Sequence, residues 1–499
     1  MAIVGNAAET SFCFFEKRRP CCYQAVAPAT LAQQRSEPAV SDLTRGSIGR
    51  HLIGMAGFIA AGLLFQSAYF IVDLYFVSQL GKEAVAGVAA SGNFFYLGLA
   101  GAQLAGVGAL SLISQAIGRK DTAYANLVFN QVLALSLMFS AASLVLGYAF
   151  AGVASAGLGA SSGTAAFGRA YLFGYLPSLA GMFPGTVMMS GLRALGIAKP
   201  TMIVQSGSVL ANVVLAPVLI AGWGTGHPLG AFGAGLASSV ASLGSLAVLA
   251  AVWPRLQTQL QVRRAELAPR SAVWLSLMRV GLPAAGEFFL MFVTTLTIYW
   301  ALRRYGPVAQ AGYGIGARVM QALFLPAMAI SFAAAPIAGQ NFGAGSRARV
   351  MQTFRAALFI GTALMVCLTL VCQTRPDLLC AAFTNDPAVL ATAAQFLRTV
   401  SWNFAAIGIV FACNGMFQAL GDTRPSFISS SSRLLTFALP CILLSRWPPA
   451  VLSDFWLASN IAAALQAAFS LWLLRRLFRA KLPMLRAAPE GFGSGVQAG

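Results

Sequence analysis

The sequence predicts an all-α polytopic membrane protein, with twelve transmembrane helices arranged as two pseudo-symmetric six-helix bundles. Composition is the first observation behind this. Of 499 residues, 58% are hydrophobic and 9% charged, with a mean hydropathy of +0.73, a balance that excludes an ordinary set of soluble domains. The second is that polar breaks leave twelve stretches long enough to cross a bilayer, which takes about 20 apolar residues. The third is an internal duplication at one fixed offset.

Residues 1–45 are polar, bear Ala, Pro and Arg, and lack an apolar stretch long enough for a secretory signal. They are expected as a disordered cytoplasmic tail or an over-extended gene start. Spans are expected at 52–80, 84–115, 126–153, 165–192, 200–222, 229–253, 273–302, 308–338, 350–373, 388–418, 426–445 and 451–474. Basic residues punctuate them: Lys82 after the first, Arg119 and Lys120 after the second, Arg193 and Lys199 after the fourth, and Arg255, Arg263, Arg264 and Arg270 after the sixth. Arg303 and Arg304, Arg347 and Arg349, Arg375, Arg424 and Arg446 separate the remaining spans in turn. Residues 46–253 then form an N-lobe of helices 1–6, 254–272 a cytoplasmic inter-lobe linker, 273–478 a C-lobe of helices 7–12, and 479–499 a cytoplasmic C-terminal tail ending in a Pro-, Gly- and Ala-rich run.

The formal charge of +19 resembles a nucleic-acid signal until the basic residues are placed. With the N-terminus cytoplasmic, the even-numbered loops hold eleven and the odd-numbered loops five, while the tails add six and five. Such an excess on one side is the positive-inside pattern, so the expectation is a multi-pass plasma-membrane protein, in a bacterium of the inner membrane, with both termini cytoplasmic and no nucleic acid among its partners. Eight cysteines form no framework: Cys367, Cys372, Cys380, Cys413 and Cys441 lie in or beside spans as packing, and Cys13, Cys21 and Cys22 lack metal-ligand spacing.

A shift of 225 residues aligns Gly81 with Gly306, Ala84 with Ala309, Gly87 with Gly312, Gln115 with Gln340 and Gly118 with Gly343 without a gap. It also aligns Ala194-Leu195-Gly196 with Ala419-Leu420-Gly421 and Lys199-Pro200 with Arg424-Pro425. Six spans per half is an even number, so both copies keep one orientation. They are related by an axis along the membrane normal and enclose a cleft between two bundles.

Of fourteen acidic residues, only Asp73 and Glu287 sit deep inside apolar segments. A carboxylate there costs a few kcal/mol even on insertion scales, so each is a functional candidate. Asp73 lies seven positions before Leu80, roughly 10 Å below the outer surface at the helical rise. Asn212 in the fifth span, Ser238 in the sixth and Asn93 in the second are each nine positions from the same surface. That common depth fits one shared cation site: a carboxylate stripped of water favours its neutral form and can exchange its proton for a competing cation. Glu287 is near mid-membrane in the seventh span, with Phe288, Met291 and Phe292 beside it, and Gln66 and Tyr69 precede Asp73. These six form the candidate substrate lining, adaptable and aromatic. Two readings of Glu287 stand, attraction of a cationic substrate or a fixed ion pair with Arg318. Taken singly, Asn212 and Ser238 also read as helix-packing residues.

The order of FIVDLYFVSQLGKEAVAGVAA (70–90), LISQAIGRKD (112–121), SGLRALGIAKPT (190–201), ANVVLAPVLI (211–220) and GAFGAGLASSVA (230–241) resembles the multidrug and toxic compound extrusion (MATE) family. VGLPAAGEFF (280–289), QAGYGIGARVMQALFLP (310–326), IAGQNFGAG (337–345) and FQALGDTRPS (417–426) extend the resemblance over about residues 50–475. It implies two six-helix lobes that export organic, often cationic compounds against an inward gradient of protons or sodium ions. Asp73, Asn212 and Ser238 match the N-lobe coupling positions of the DinF-like branch, but the second carboxylate expected four residues after the Asn is Ala216 here. The proline many relatives carry in the first span is also missing; its place is Phe58, opposite Pro283 under the shift. Glu287 matches a C-lobe position that is often acidic, without the partner acid some sodium-coupled members carry in the tenth span.

The expectation is a secondary active antiporter exporting organic, cationic and amphiphilic compounds in exchange for protons, as a monomer in membrane lipid, with no cofactor beyond the coupling ion. Sodium coupling is the alternative within the family, and a lipid-linked oligosaccharide flippase of the same superfamily the alternative outside it. An enzyme is not expected. His51 and His227 lie near membrane edges far from the buried acids, no H-E-x-x-H occurs, and the glycines of 312–316 fall inside an apolar span rather than in a phosphate loop.

Overall fold

Twelve helical crossings follow one another along the chain, and the computed structural model describes them over residues 42–158, 161–224, 226–256, 259–446, 449 and 451–484. The first is α1 (Ile48–Ser78). The second is divided at Gly92 into α2 (Lys82–Ser91) and α3 (Asn93–Gly118), and α4 (Thr122–Leu158), α5 (Ser162–Ala194), α6 (Lys199–Ile220) and α7 (Gly230–Val252) complete the first half. The second half holds α8 (Ser271–Leu302), α9 (Gly306–Gly343), α10 (Arg347–Thr374), a short α11 (Pro376–Ala381), α12 (Pro387–Val400) continued by α13 (Phe404–Ala419), α14 (Arg424–Arg446) and α15 (Leu452–Lys481). By length and hydropathy ten helical stretches suffice to cross a membrane; one of them, Ser271–Gly343, contains both α8 and α9. The crossing absent from that set is α5, which carries Arg169, Arg193, Pro177 and Pro184. It tolerates them because it packs against α2, α3, α4 and α7, so protein rather than lipid surrounds it.

Local chemistry sets the helix ends at matching places in the two halves. Gly196 and Gly421 take φ of +80° and +67° just past α5 and α13, a left-handed stop that costs glycine nothing. Ser161 Oγ accepts from Thr164 N at the start of α5, and Asp386 accepts from Ala388 N and Val389 N at the start of α12.

The duplication is visible in the packing. α1 packs on α6 within its half and on α9 across to the other; α8 likewise packs on α14 and across on α3, and α3 meets α9 directly. Gln115 Nε2 donates to Ala419 O at 2.8 Å and Gln340 Nε2 donates to Ala194 O at 2.7 Å, the same bond made twice across the pseudo-axis. At that level backbone meets backbone, since a Cβ on Gly118 would run into Gln340 O and one on Gly343 into Gln115 O. The two halves are thus clamped at one end, over an apolar core in which Leu52, Met55, Ala56 and Ile59 of α1 meet Ala329, Ile330, Ala333 and Ala334 of α9. The half of α1 carrying Asp73 leaves that core.

Within the first half α5 and α7 approach as closely as glycine permits: a Cβ on Gly235 would strike Tyr171 O, and one on Gly174 would lie 2.5 Å from Phe232 O. Small residues are how helices gain contact where no hydrophobic force drives them together. Gly235→Val therefore lowers the melting temperature of the solubilised protein by an overpacking cost of about 1–3 kcal/mol, whereas Gly244→Ala, on the same helix in open space, leaves it unchanged.

The ends of the lobes differ from the sequence expectation. Residues 1–41 lie outside the described residues, but 42–45, expected as free tail, are docked. Leu43 is buried, its N–H donates to Gln340 Oε1 at 3.2 Å, and its carbonyl accepts from Asn341 Nδ2 and Arg349 Nη2 at 3.1 and 3.2 Å. The reason is the spare acceptor on the clamping glutamine, invisible to composition. Residues 479–481, also expected as tail, continue α15; Lys481 Nζ donates to Leu420 O at 2.6 Å and caps the carbonyl end of α13, while 485–499 lie outside the described residues. The inter-lobe segment is strapped to α4: Asn126 and Asn130 donate to Glu266 Oε2 at 2.7 and 3.1 Å, and Gln131 Oε1 accepts from Arg270 N at 2.8 Å.

Candidate functional site

Three adjoining helices carry these polar side chains at similar depths. Asp73 sits five residues before the end of α1, Asn212 eight before the end of α6 and Ser238 eight past the start of α7, depths of about 8, 12 and 12 Å at 1.5 Å per residue. α1 packs on α6, α6 on α7, and α1 touches α7. Asp73 is 8% exposed, Asn212 and Ser238 not at all. Asp73 Oδ1, both amide atoms of Asn212 and Ser238 Oγ are all buried without a hydrogen-bond partner. A buried polar group left unmatched costs about 1–3 kcal/mol, so four such atoms on adjoining helices are costly as packing alone. By contrast Ser239, next in sequence, is fully used: it donates to Gly174 O at 2.5 Å and accepts from Ser178 N at 3.0 Å.

The walls are apolar and aromatic. Val77, Ala216 and Ile220 pack with Tyr171 and Tyr175 of α5, whose rings stack 5.3 Å apart. The hydroxyl of Tyr175 lies within electrostatic reach of the Asp73 carboxylate. Sequence reasoning missed it. The signal was a pair of tyrosines one turn apart in the least apolar span. Ala216, fully buried beside Asn212, adds no oxygen. Asn93 begins α3 just after the break at Gly92, but its side chain lies outside the described ones, as does that of Tyr69.

Among the described residues, the matching positions of the second half hold no such cluster. At the positions equivalent to Asp73, Asn212 and Tyr171 under the 225 shift stand Ile298, Phe437 and Phe396. They join Trp456, Tyr313 and Cys441 in one apolar cluster, in which Phe396 meets Trp456 edge-on at 4.8 Å. The same backbone frame is filled with carbon on one side and left polar on the other.

Glu287 is half-buried in α8, against the Ser426 hydroxyl of α14, which itself donates to Asn414 Oδ1 at 2.8 Å. Arg318 does not pair with it: its side chain is exposed, and the ion pairs among the described residues are Arg45–Asp42, Arg263–Glu266 and Arg398–Asp377. Gly312 and Gly316, on the other face of α9, pack against Thr392 and Phe396, which leaves Arg318 on an exposed face. Phe288 and Gln66 are half-buried, and Met291 and Phe292 are about half exposed, at 50% and 46%. The Asp73 cluster thus lies in the first half, while the lining is split between α8 and Gln66 of α1. A G-x-S-x-G string occurs at 159–163; its Ser161 caps α5 and donates to Glu83 Oε1 at 3.2 Å.

Comparison with known proteins gives the following. The family model described as MatE matches residues 59–218 and 283–443, two blocks that the 225 shift superimposes nearly end to end. Multidrug export protein MepA of Staphylococcus haemolyticus (strain JCSC1435) is 27% identical over 369 residues, 74% of this chain and 80% of that protein. MepA of Staphylococcus aureus (strain NCTC 8325 / PS 47) is 26% identical over the same shares. Among solved structures, an outward-facing conformation of a multidrug resistance MATE family transporter of the MOP superfamily superimposes with a TM-score of 0.82 at 20% identity, covering 89% of this chain and 98% of that one. A MOP superfamily transporter from Pyrococcus furiosus Vc1 (DSM3638) does so with a TM-score of 0.82 at 20% identity, covering 90% and 99%.

Proposed function

From the premise that this chain belongs to the MATE family, a family of transporters and not of enzymes, we propose that it exports amphiphilic organic cations across the membrane in exchange for protons. The observation that carries the proposal is the set of buried, unmatched oxygens and nitrogens on Asp73, Asn212 and Ser238. Asp73 supplies the exchangeable charge, Asn212 and Ser238 orient whatever occupies it, and Tyr175 bounds the pocket. Proton coupling is favoured over sodium because one carboxylate and two neutral groups line the pocket and Ala216 adds nothing, whereas a sodium ion needs several oxygen ligands. With both termini cytoplasmic, the clamp of Gln115 and Gln340 closes the cytoplasmic end and Asp73 lies toward the outside, the arrangement in which a proton enters and substrate leaves.

In this reading substrate binds the lining of α8, where Glu287 is in no ion pair among the described residues. Glu287→Gln is expected to raise the KM for a cationic dye about tenfold or more while leaving an uncharged substrate unaffected, since a charge-assisted contact contributes about 1.5–3 kcal/mol. The test of the whole reading is uptake of a fluorescent organic cation into proteoliposomes under an imposed proton gradient and then a sodium gradient. Transport driven by protons supports it, transport driven by sodium alone replaces the coupling ion, and transport of neither with movement of a lipid-linked oligosaccharide would make the chain a flippase.

A further inference from the structure

At the end of α8 and α14 away from the glutamine clamp, Trp300, Arg303, Arg304 and Arg446 surround a pocket of about 270 Å3. It shares Trp300 and Arg446 with a second of about 380 Å3, lined one turn deeper in the helices by Leu296, Thr297 and Ile442. The two make one groove that is basic at the helix ends and apolar below. Arg304 stiffens the rim by donating to Leu444 O and Ser445 O at 3.3 and 3.0 Å, tying α8 to α14. Arg303 and Arg446 are exposed and in no ion pair among the described residues. Trp300, 47% exposed, stands between rim and groove at the height where tryptophans meet a membrane surface.

Two further observations set this groove apart from generic surface charge. The odd-numbered loops carry five basic residues, and three of them, Arg303, Arg304 and Arg446, converge here. The equivalent positions of the first half are Ser78, Gln79 and Ala221, so the basic rim belongs to one lobe and is not a feature of the duplicated frame.

We propose that this groove binds an anionic glycerophospholipid, with its phosphate on Arg303 and Arg446 and an acyl chain along Leu296, Thr297 and Ile442. Full-length protein in a mild detergent is titrated with phosphatidylglycerol or phosphatidylcholine and followed by native mass spectrometry. Phosphatidylglycerol is expected to bind in preference. R303Q/R446Q should weaken it about twenty-five-fold, about fivefold per basic residue near an anionic head group, R303K/R446K should retain most of it, and K82Q/R375Q, which removes two other loop charges, should change it less than twofold. Equal losses in R303Q/R446Q and K82Q/R375Q, or no preference between the lipids, would overturn the proposal. So would displacement by millimolar inorganic phosphate or binding of glycerophosphoglycerol as tight as that of the whole lipid, either of which would make the groove a site for free anions.

Discussion

Asp73→Asn leaves a folded protein that no longer couples export to a gradient, so that dye movement in proteoliposomes falls to the level of protein-free vesicles. The substitution keeps shape and hydrogen-bonding capacity but removes the charge that a proton and a cation compete for. Because Asp73 has no ion-pair partner among the described residues and Oδ1 is unmatched, a purely structural role predicts the opposite: neutralising a buried unpaired acid would leave stability unchanged or raised and transport intact. Melting temperature and transport measured on the same preparation separate the two. Asn212→Ala and Ser238→Ala should weaken occupancy about tenfold or more each, the value of a hydrogen bond to a charged group. Ala216→Asp is the informative gain: a second carboxylate beside Asn212 should bring sodium-stimulated transport, and its failure to do so would place the coupling ion elsewhere.

The second large effect is expected at the clamp. Gly118→Ala and Gly343→Ala each place a methyl group against the backbone carbonyl of Gln340 or Gln115, which no rotamer can relieve, so the two halves must part at that end. Gln115→Ala with Gln340→Ala is milder. Two bonds at about 1 kcal/mol net apiece shift the closed-to-open ratio by roughly thirtyfold. Spin labels at Arg119 and Ala344, exposed residues just past the clamping glycines, report the change as a lengthened interlobe distance, and the glycine variants should transport more slowly because one state of the cycle is strained. An unchanged distance distribution in Gly343→Ala would mean that the halves do not separate there.

Much of this architecture was legible in the chain itself. Twelve crossings, a duplication at an offset of 225 and two intramembrane acids are properties of hydropathy and spacing, and the bilayer enforces them, since lipid accepts only helices with satisfied backbones. The common depth of Asp73, Asn212 and Ser238 followed from counting along helices of fixed rise. Which atoms are left without partners could not be counted. Ser238 and Ser239 are neighbours of the same chemistry, yet one is bonded to α5 and the other to nothing, because the α5–α7 crossing at Gly174 and Gly235 decides which face of α7 meets a carbonyl. Arg318 was a candidate partner for Glu287 in the sequence, yet it is exposed and in no ion pair among the described residues, while the other face of α9 packs on α12. The sequence alone determined the layers, the repeat and the buried charges. Tertiary structure decided which half keeps the unmatched polar groups, which end is clamped and that Leu43 is docked, because those depend on contacts between helices far apart in the chain.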